Sequence, residues 1–318
     1  MEKKRYEFVD LMKGICIIMV VALHVNVPYA ASPVLSLFRM PLFFAISGIF
    51  FSRYDSFSTF FKKKTNTLFI PYLFFSIPNL FLILFFYFKD TPGNVVQAYS
   101  AASLLFNTPI WFLLSLYTAG LIFYLISGVK SGILKFLIVI FISAIGYWLN
   151  KNHISLPLYL NSTFNAFIFY YWGYLVKRIG ILTDSRYIRI KLLVAVALFI
   201  VIVCFVLPVP FLSLSDITNM PYFYFISCAT CGILSIFYLS KCVNKFRGIS
   251  FIGRYSIIIL GTHLIWIRLF GLFVPYRILS HPLSLWAVFV FILLTAYPMI
   301  LFLINYFPKY CAQKPLLK

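Results

Sequence analysis

The stretch DLMKGICIIMVVALHVNVPY, residues 10–29, decides how this chain is read. It is apolar over about the 20 residues a helix needs to cross a bilayer, yet it carries Asp10, Lys13 and His24. Comparable apolar runs recur at about 34–52, 68–88, 110–128, 132–149, 162–178, 190–208, 219–239, 251–273 and 283–306. Breakers separate them: Pro28 and Pro33, Asp90-Thr91-Pro92-Gly93, Pro208 and Pro210, Pro275 and Pro282. The stretch 95–109 is apolar but too short to cross, and reads as lying along the outer surface or re-entering.

Composition agrees. Hydrophobic residues make up 63% of the 318 and charged residues 11%, far from the balance of a soluble domain. That much apolar surface cannot be hidden in one soluble core of this size. A soluble enzyme, a disordered tail protein and a disulfide-stapled secreted module are excluded. The expected fold is an all-α polytopic membrane protein with about ten transmembrane helices, organised as one integral-membrane domain over residues 1–318.

The net charge of +20 would suggest nucleic acid in a soluble protein, but no basic segment is long enough to form such a domain. Nucleic acid is not an expected partner; the lipid bilayer is. With the N-terminus inside, ten spans put 21 of the 27 Lys and Arg at inner loops and span ends, among them Lys62-Lys63-Lys64, Lys177-Arg178 and Lys245. Four, Lys89, Lys151, Arg268 and Arg277, fall outside, and Lys13 and Arg39 lie within spans. This asymmetry is the one expected when basic loops face the cytoplasm, and it puts both termini there.

The first span reads as an uncleaved helix rather than a signal peptide, because Asp10 and Lys13 make its front end polar and Pro28 sits close to the would-be cut. No lipid-attachment motif stands at either end. None of the six cysteines falls in an outer loop, so no structural disulfide is expected. Cys228-Ala229-Thr230-Cys231 has redox or metal spacing, but inside an apolar helix without a second pair it reads as packing. No metal site is expected.

Ionisable groups inside spans are costly and commonly face a cavity or a partner. Lys13 and His24 are eleven positions apart, close to three helical turns, so they project from nearly one face, about 16 Å apart along the axis. Asp10 lies within about 40° of that face by the same period. Arg39 falls at the outer end of the second span, at a depth similar to His24, and the connecting loop is short. His263 sits near the middle of the ninth. Blander readings exist for each: Lys13 and Arg39 can snorkel to headgroups, His263 can glue helices together, and Trp111 can belong to an interfacial belt. The combination of an imidazole between two cations favours a polar cavity.

An ordered series of short motifs resembles the acyltransferase-3 family of bacterial inner-membrane acyltransferases. It runs from Arg5, Phe8-Val9-Asp10-Leu11-Met12-Lys13-Gly14 and His24 to Arg39-Met40-Pro41-Leu42-Phe43-Phe44 and Ser47-Gly48. It continues through Phe61-Lys62-Lys63-Lys64, Pro71-Tyr72, Trp111-Phe112-Leu113, Gly173-Tyr174 and Gly253-Arg254-Tyr255-Ser256 to His263. The resemblance implies transfer of an acyl group, commonly acetyl, from cytoplasmic acyl-CoA to a hydroxyl of an envelope glycan or lipid-linked saccharide. Acyl-CoA is then a donor substrate, and no permanently bound cofactor is implied.

The family's basic-x10-His motif falls on Lys13 and His24, with lysine where arginine is usual. Arg39 stands where the family often has histidine. On this reading His24 and Arg39 are the catalytic candidates, His24 as base or transient acyl carrier. Lys13, Asp10, Lys62 and Lys63 are candidates for the CoA end, and His263, Ser256 and Trp111 are further candidates. Two other readings stay open: a carrier or flippase for a polar solute or glycan, and a nonenzymatic subunit of a polysaccharide export complex.

Overall fold

The computed structural model describes residues 5–28, 33–77, 108–206, 214, 217, 221–273 and 281–317. Among the described residues every regular element is helical: α1 (Glu7–Val25), α2 (Pro33–Ile49), α3 (Phe57–Lys64), α4 (Trp111–Ser127), α5 (Gly132–Lys151), α6 (Leu160–Arg178), α7 (Ile188–Val206), α8 (Tyr222–Val243), α9 (Arg247–Arg254), α10 (Ser256–Phe273) and α11 (Pro282–Tyr306). Each of the ten apolar intervals contains helix where it is described. Among the described residues four helices, α1, α5, α8 and α11, are long and apolar enough to cross a membrane, and α9 with α10 would add a fifth if the pair is one broken span. Helices are the form to expect, since lipid offers no partner for an unpaired backbone group.

Local chemistry sets the ends. Asn26 takes the left-handed conformation (φ 63°) and its N–H reaches the carbonyls of Ala22 and Leu23, stopping α1 just past His24. The Ser56 and Ser131 hydroxyls accept from the N–H groups of Ser58 and Leu134, starting α3 and α5.

The structure departs from the sequence expectation in two places. The interval 251–273 is not one helix, because Tyr255 (φ −111°, ψ 26°) breaks it into α9 and α10. The third interval does not begin at 68. Helix already starts at Phe57, passes through a π-helical turn at Thr65–Phe69 and continues through residues 70–77. A π turn adds a residue to the usual repeat and displaces the side chains that follow, which a 3.6-residue pattern does not anticipate. The expectation for 95–109 falls almost wholly outside the described residues.

Two compact units are formed: Met1–Arg53 with Thr118–Ser256, and Tyr54–Tyr117 with Ile257–Lys318. In the first, glycines carry the helix contacts. A Cβ on Gly48 of α2 would overlap the Tyr170 carbonyl of α6, and one on Gly173 of α6 would overlap the Ala45 carbonyl of α2. The α1–α9 pair is built likewise: Gly14 lies against the Ile249 carbonyl and Gly253 against the Asp10 carbonyl. In lipid, close backbone packing replaces exclusion from water as the force joining helices, so such small-residue contacts matter more than in a soluble core. Phe123 of α4 meets Phe51 at 4.8 Å and Tyr174 at 5.0 Å between ring centroids, and Tyr170 at 5.4 Å.

In the second unit, α10 and α11 meet through Trp266, Phe270 and Phe291, with centroids 5.9 and 5.0 Å apart. The segment after α11 folds back: Tyr310 stacks on Phe74 at 5.3 Å and Cys311 is buried. Burial pushes the Cys311 thiol up to about 12, so it stays protonated and inert at neutral pH.

Candidate functional site

Helix α1 brings Asp10, Lys13 and His24 into the first unit, and α2 brings Arg39. At the front of α1, Asp10 is buried and accepts from Arg5, Nη2 at 2.6 Å and Nε at 2.8 Å. Its charge is therefore already matched, and it also lies within electrostatic reach of Lys13. The Lys13 ammonium sits 4.6 Å from the centroid of Phe50, just past α2. A cation held over a ring face is attracted by the ring quadrupole.

At the other end of α1, His24 is partly buried and Arg39 is 3% exposed. The two are close enough to interact electrostatically, as their similar depth and short loop led one to expect. Cys16 fastens this pair of helices: its Sγ donates to the Arg39 backbone carbonyl at 2.9 Å. A guanidinium buried among apolar side chains is costly to desolvate.

Ser256 is buried at the first position of α10, next to the Tyr255 break, and completes the candidates of the first unit. The remaining candidates belong to the second. His263 is fully buried and its Nδ1 lies 2.9 Å from the Ile259 carbonyl. A carbonyl only accepts, so Nδ1 carries a proton and the ring orientation is fixed. Trp111 opens α4 and packs edge-on to Phe112 at 6.1 Å. Lys63 donates to the Tyr54 hydroxyl, and its ammonium lies over that ring at 4.7 Å.

Two cavities collect positive charge. One of about 340 Å³ in the first unit is lined by Ser52, Arg53, Ser127, Tyr174, Lys177 and Arg178. Lys177 is tied there to the Phe51 carbonyl at 2.8 Å and the Ser52 hydroxyl at 3.3 Å. Another of about 450 Å³ in the second unit has Lys62 and Lys63 in its wall, together with Thr59, Asn66, Lys314 and Leu317. Neither is lined by His24 or Arg39. Sequence reasoning chose Lys62 and Lys63 but used Arg53, Lys177, Arg178 and Lys314 only as markers of sidedness. Asn66 was missed, because it lies in the π-helical turn and its partners are at the far end of the chain.

No curated protein matches the chain, and no solved structure does. A family model described as an acyltransferase domain matches residues 6–304, nearly the whole length. That match takes in α1 with Lys13 and His24, α2 with Arg39, α3 with Lys62 and Lys63, and His263. The apolar helices agree with the membrane location of such proteins. The chain belongs to the acyltransferase-3 family and is a membrane acyltransferase.

Proposed function

We propose that this protein is an O-acyltransferase of the bacterial inner membrane, crossing it ten times with both termini in the cytoplasm. It moves an acyl group, commonly acetyl, from cytoplasmic acyl-CoA to a hydroxyl of a cell-surface saccharide or related envelope acceptor. The observation that carries this reading is the imidazole of His24 within electrostatic reach of the nearly inaccessible Arg39, in a chain of this family.

The chemistry follows from those two groups. Neutral His24 takes the proton from the acceptor hydroxyl as its oxygen attacks the thioester carbonyl. The new C–O bond leaves a tetrahedral oxyanion, which the Arg39 guanidinium stabilises. Collapse breaks the C–S bond, the ester leaves, and the imidazolium returns its proton to the CoA thiolate. Lys13, within electrostatic reach of Asp10, and, taken by themselves, Lys62 and Lys63 of α3 are the candidates for attracting the CoA phosphates. Ser256, Trp111 and His263 are further candidates, with no role assigned to them.

The test is transfer of isotope-labelled acetyl from acetyl-CoA into surface glycan in inverted vesicles. The His24→Ala variant should insert in normal amounts and transfer nothing above background. Full transfer by that variant defeats the assignment of the base.

A further inference from the structure

The 450 Å³ cavity is a composite of two distant parts of the chain. One wall is α3, with Thr59, Lys62 and Lys63, and the π-helical segment that follows it, with Asn66 and Thr67; the other is the segment after α11, including Lys314 and Leu317. Asn66 joins them. Its Oδ1 accepts from the N–H groups of Leu316 and Leu317, both at 2.8 Å, and its Nδ2 donates to the Leu317 carbonyl at 2.8 Å. Only one orientation of the amide satisfies all three bonds, so side chain and segment hold each other in register. Asn66 is 7% exposed, and a buried amide without such partners would be costly.

The segment is pinned elsewhere too. Gln313 and Lys314 donate their N–H groups to the Pro308 carbonyl at 2.9 and 3.0 Å, and the buried Cys311 anchors the turn. Three lysines, Lys62, Lys63 and Lys314, line this one space with no acidic residue among its lining, and Lys63 is steadied there by the Tyr54 hydroxyl. A concentration of positive charge of this kind attracts an anion. Thr59 and Thr67 line the same space, the Thr67 hydroxyl donating to the Lys63 carbonyl at 3.0 Å and keeping only its lone pairs.

We propose that this cavity is a phosphate-binding pocket, that Lys314 is its third cation, and that Asn66 is the positioning residue that holds Lys314 over it. The ligand class is a phosphate ester or diphosphate. Its identification as the nucleotide end of acyl-CoA rests on the function proposed above; the pocket itself does not. An anionic lipid headgroup offers the same chemistry.

The experiment measures binding of 3′,5′-ADP and of CoA to the purified full chain in detergent, and of phosphatidylglycerol in nanodiscs. It compares wild type, Lys314→Ala, Asn66→Ala and the double variant. Loss of one ammonium–phosphate contact should weaken binding about tenfold. Asn66→Ala should match that loss and release the Leu316 and Leu317 amides to hydrogen exchange. The double variant should be no worse than either single one, because both act through one side chain. In acyl transfer, Lys314→Ala and Asn66→Ala should raise KM for acyl-CoA and leave kcat unchanged. Wild-type affinity in Lys314→Ala, or additive losses in the double variant, overturns the pocket even if CoA binds. Phosphatidylglycerol binding that depends on Lys314, without CoA binding, upholds the pocket and overturns the donor reading instead.

Discussion

Arg39 and Asn66 show what a single buried polar side chain can and cannot reveal in advance. Arg39 was legible because a guanidinium in an apolar run violates the solvent it sits in. Replacing a buried guanidinium with an apolar residue of similar length removes its desolvation cost and keeps most of its packing volume. Arg39→Met should therefore leave the thermal midpoint in detergent within a few degrees of wild type. Acyl transfer should fall about 10²–10³-fold, the usual loss when one oxyanion donor is removed. A parallel collapse of stability and activity would mark Arg39 as structural glue. Asn66 was not legible, since an asparagine beside three lysines looks like any turn residue, and its partners, Leu316 and Leu317, lie some 250 positions on.

At the scale of elements, the glycines Gly48, Gly173, Gly14 and Gly253 stood out in sequence only as parts of a family resemblance. Their physical reason appears when the helices are paired, because each lies where a neighbouring backbone carbonyl leaves no room for a Cβ. Gly173→Ala should push α6 away from Ala45 and cost roughly 1–3 kcal/mol, as overpacking usually does. Gly248, in α9, has nothing within 4 Å of the corresponding position. Gly248→Ala should be neutral or stabilising by about 0.5–1 kcal/mol through helix propensity. Thermal unfolding of the two variants in one detergent checks the contrast, and equal midpoints would refute the close-packing account. The Tyr255 break and the π turn at Thr65–Phe69 escaped the apolar pattern because hydropathy records which residues prefer lipid, not how the backbone turns between them.

For the whole molecule, the ten-crossing arrangement makes a prediction about sidedness. In a variant lacking the six native cysteines, Lys130→Cys should react with a membrane-impermeant maleimide only in inverted vesicles, and Lys151→Cys only in right-side-out ones. Both sites reacting from the same face would remove α5 as a crossing. Its 20 residues and apolar composition are those of a span. The amino-acid sequence by itself determined the solvent, the helical class, the approximate helix intervals and the costly residues Lys13, His24 and Arg39, because each follows from composition and local period. Tertiary structure alone decided that Cys16 ties α1 to the Arg39 carbonyl, that paired glycines join α2 to α6, and that Asn66 binds the backbone of Leu316 and Leu317. Contacts between residues tens to hundreds of positions apart depend on how helices meet, and no local pattern encodes that.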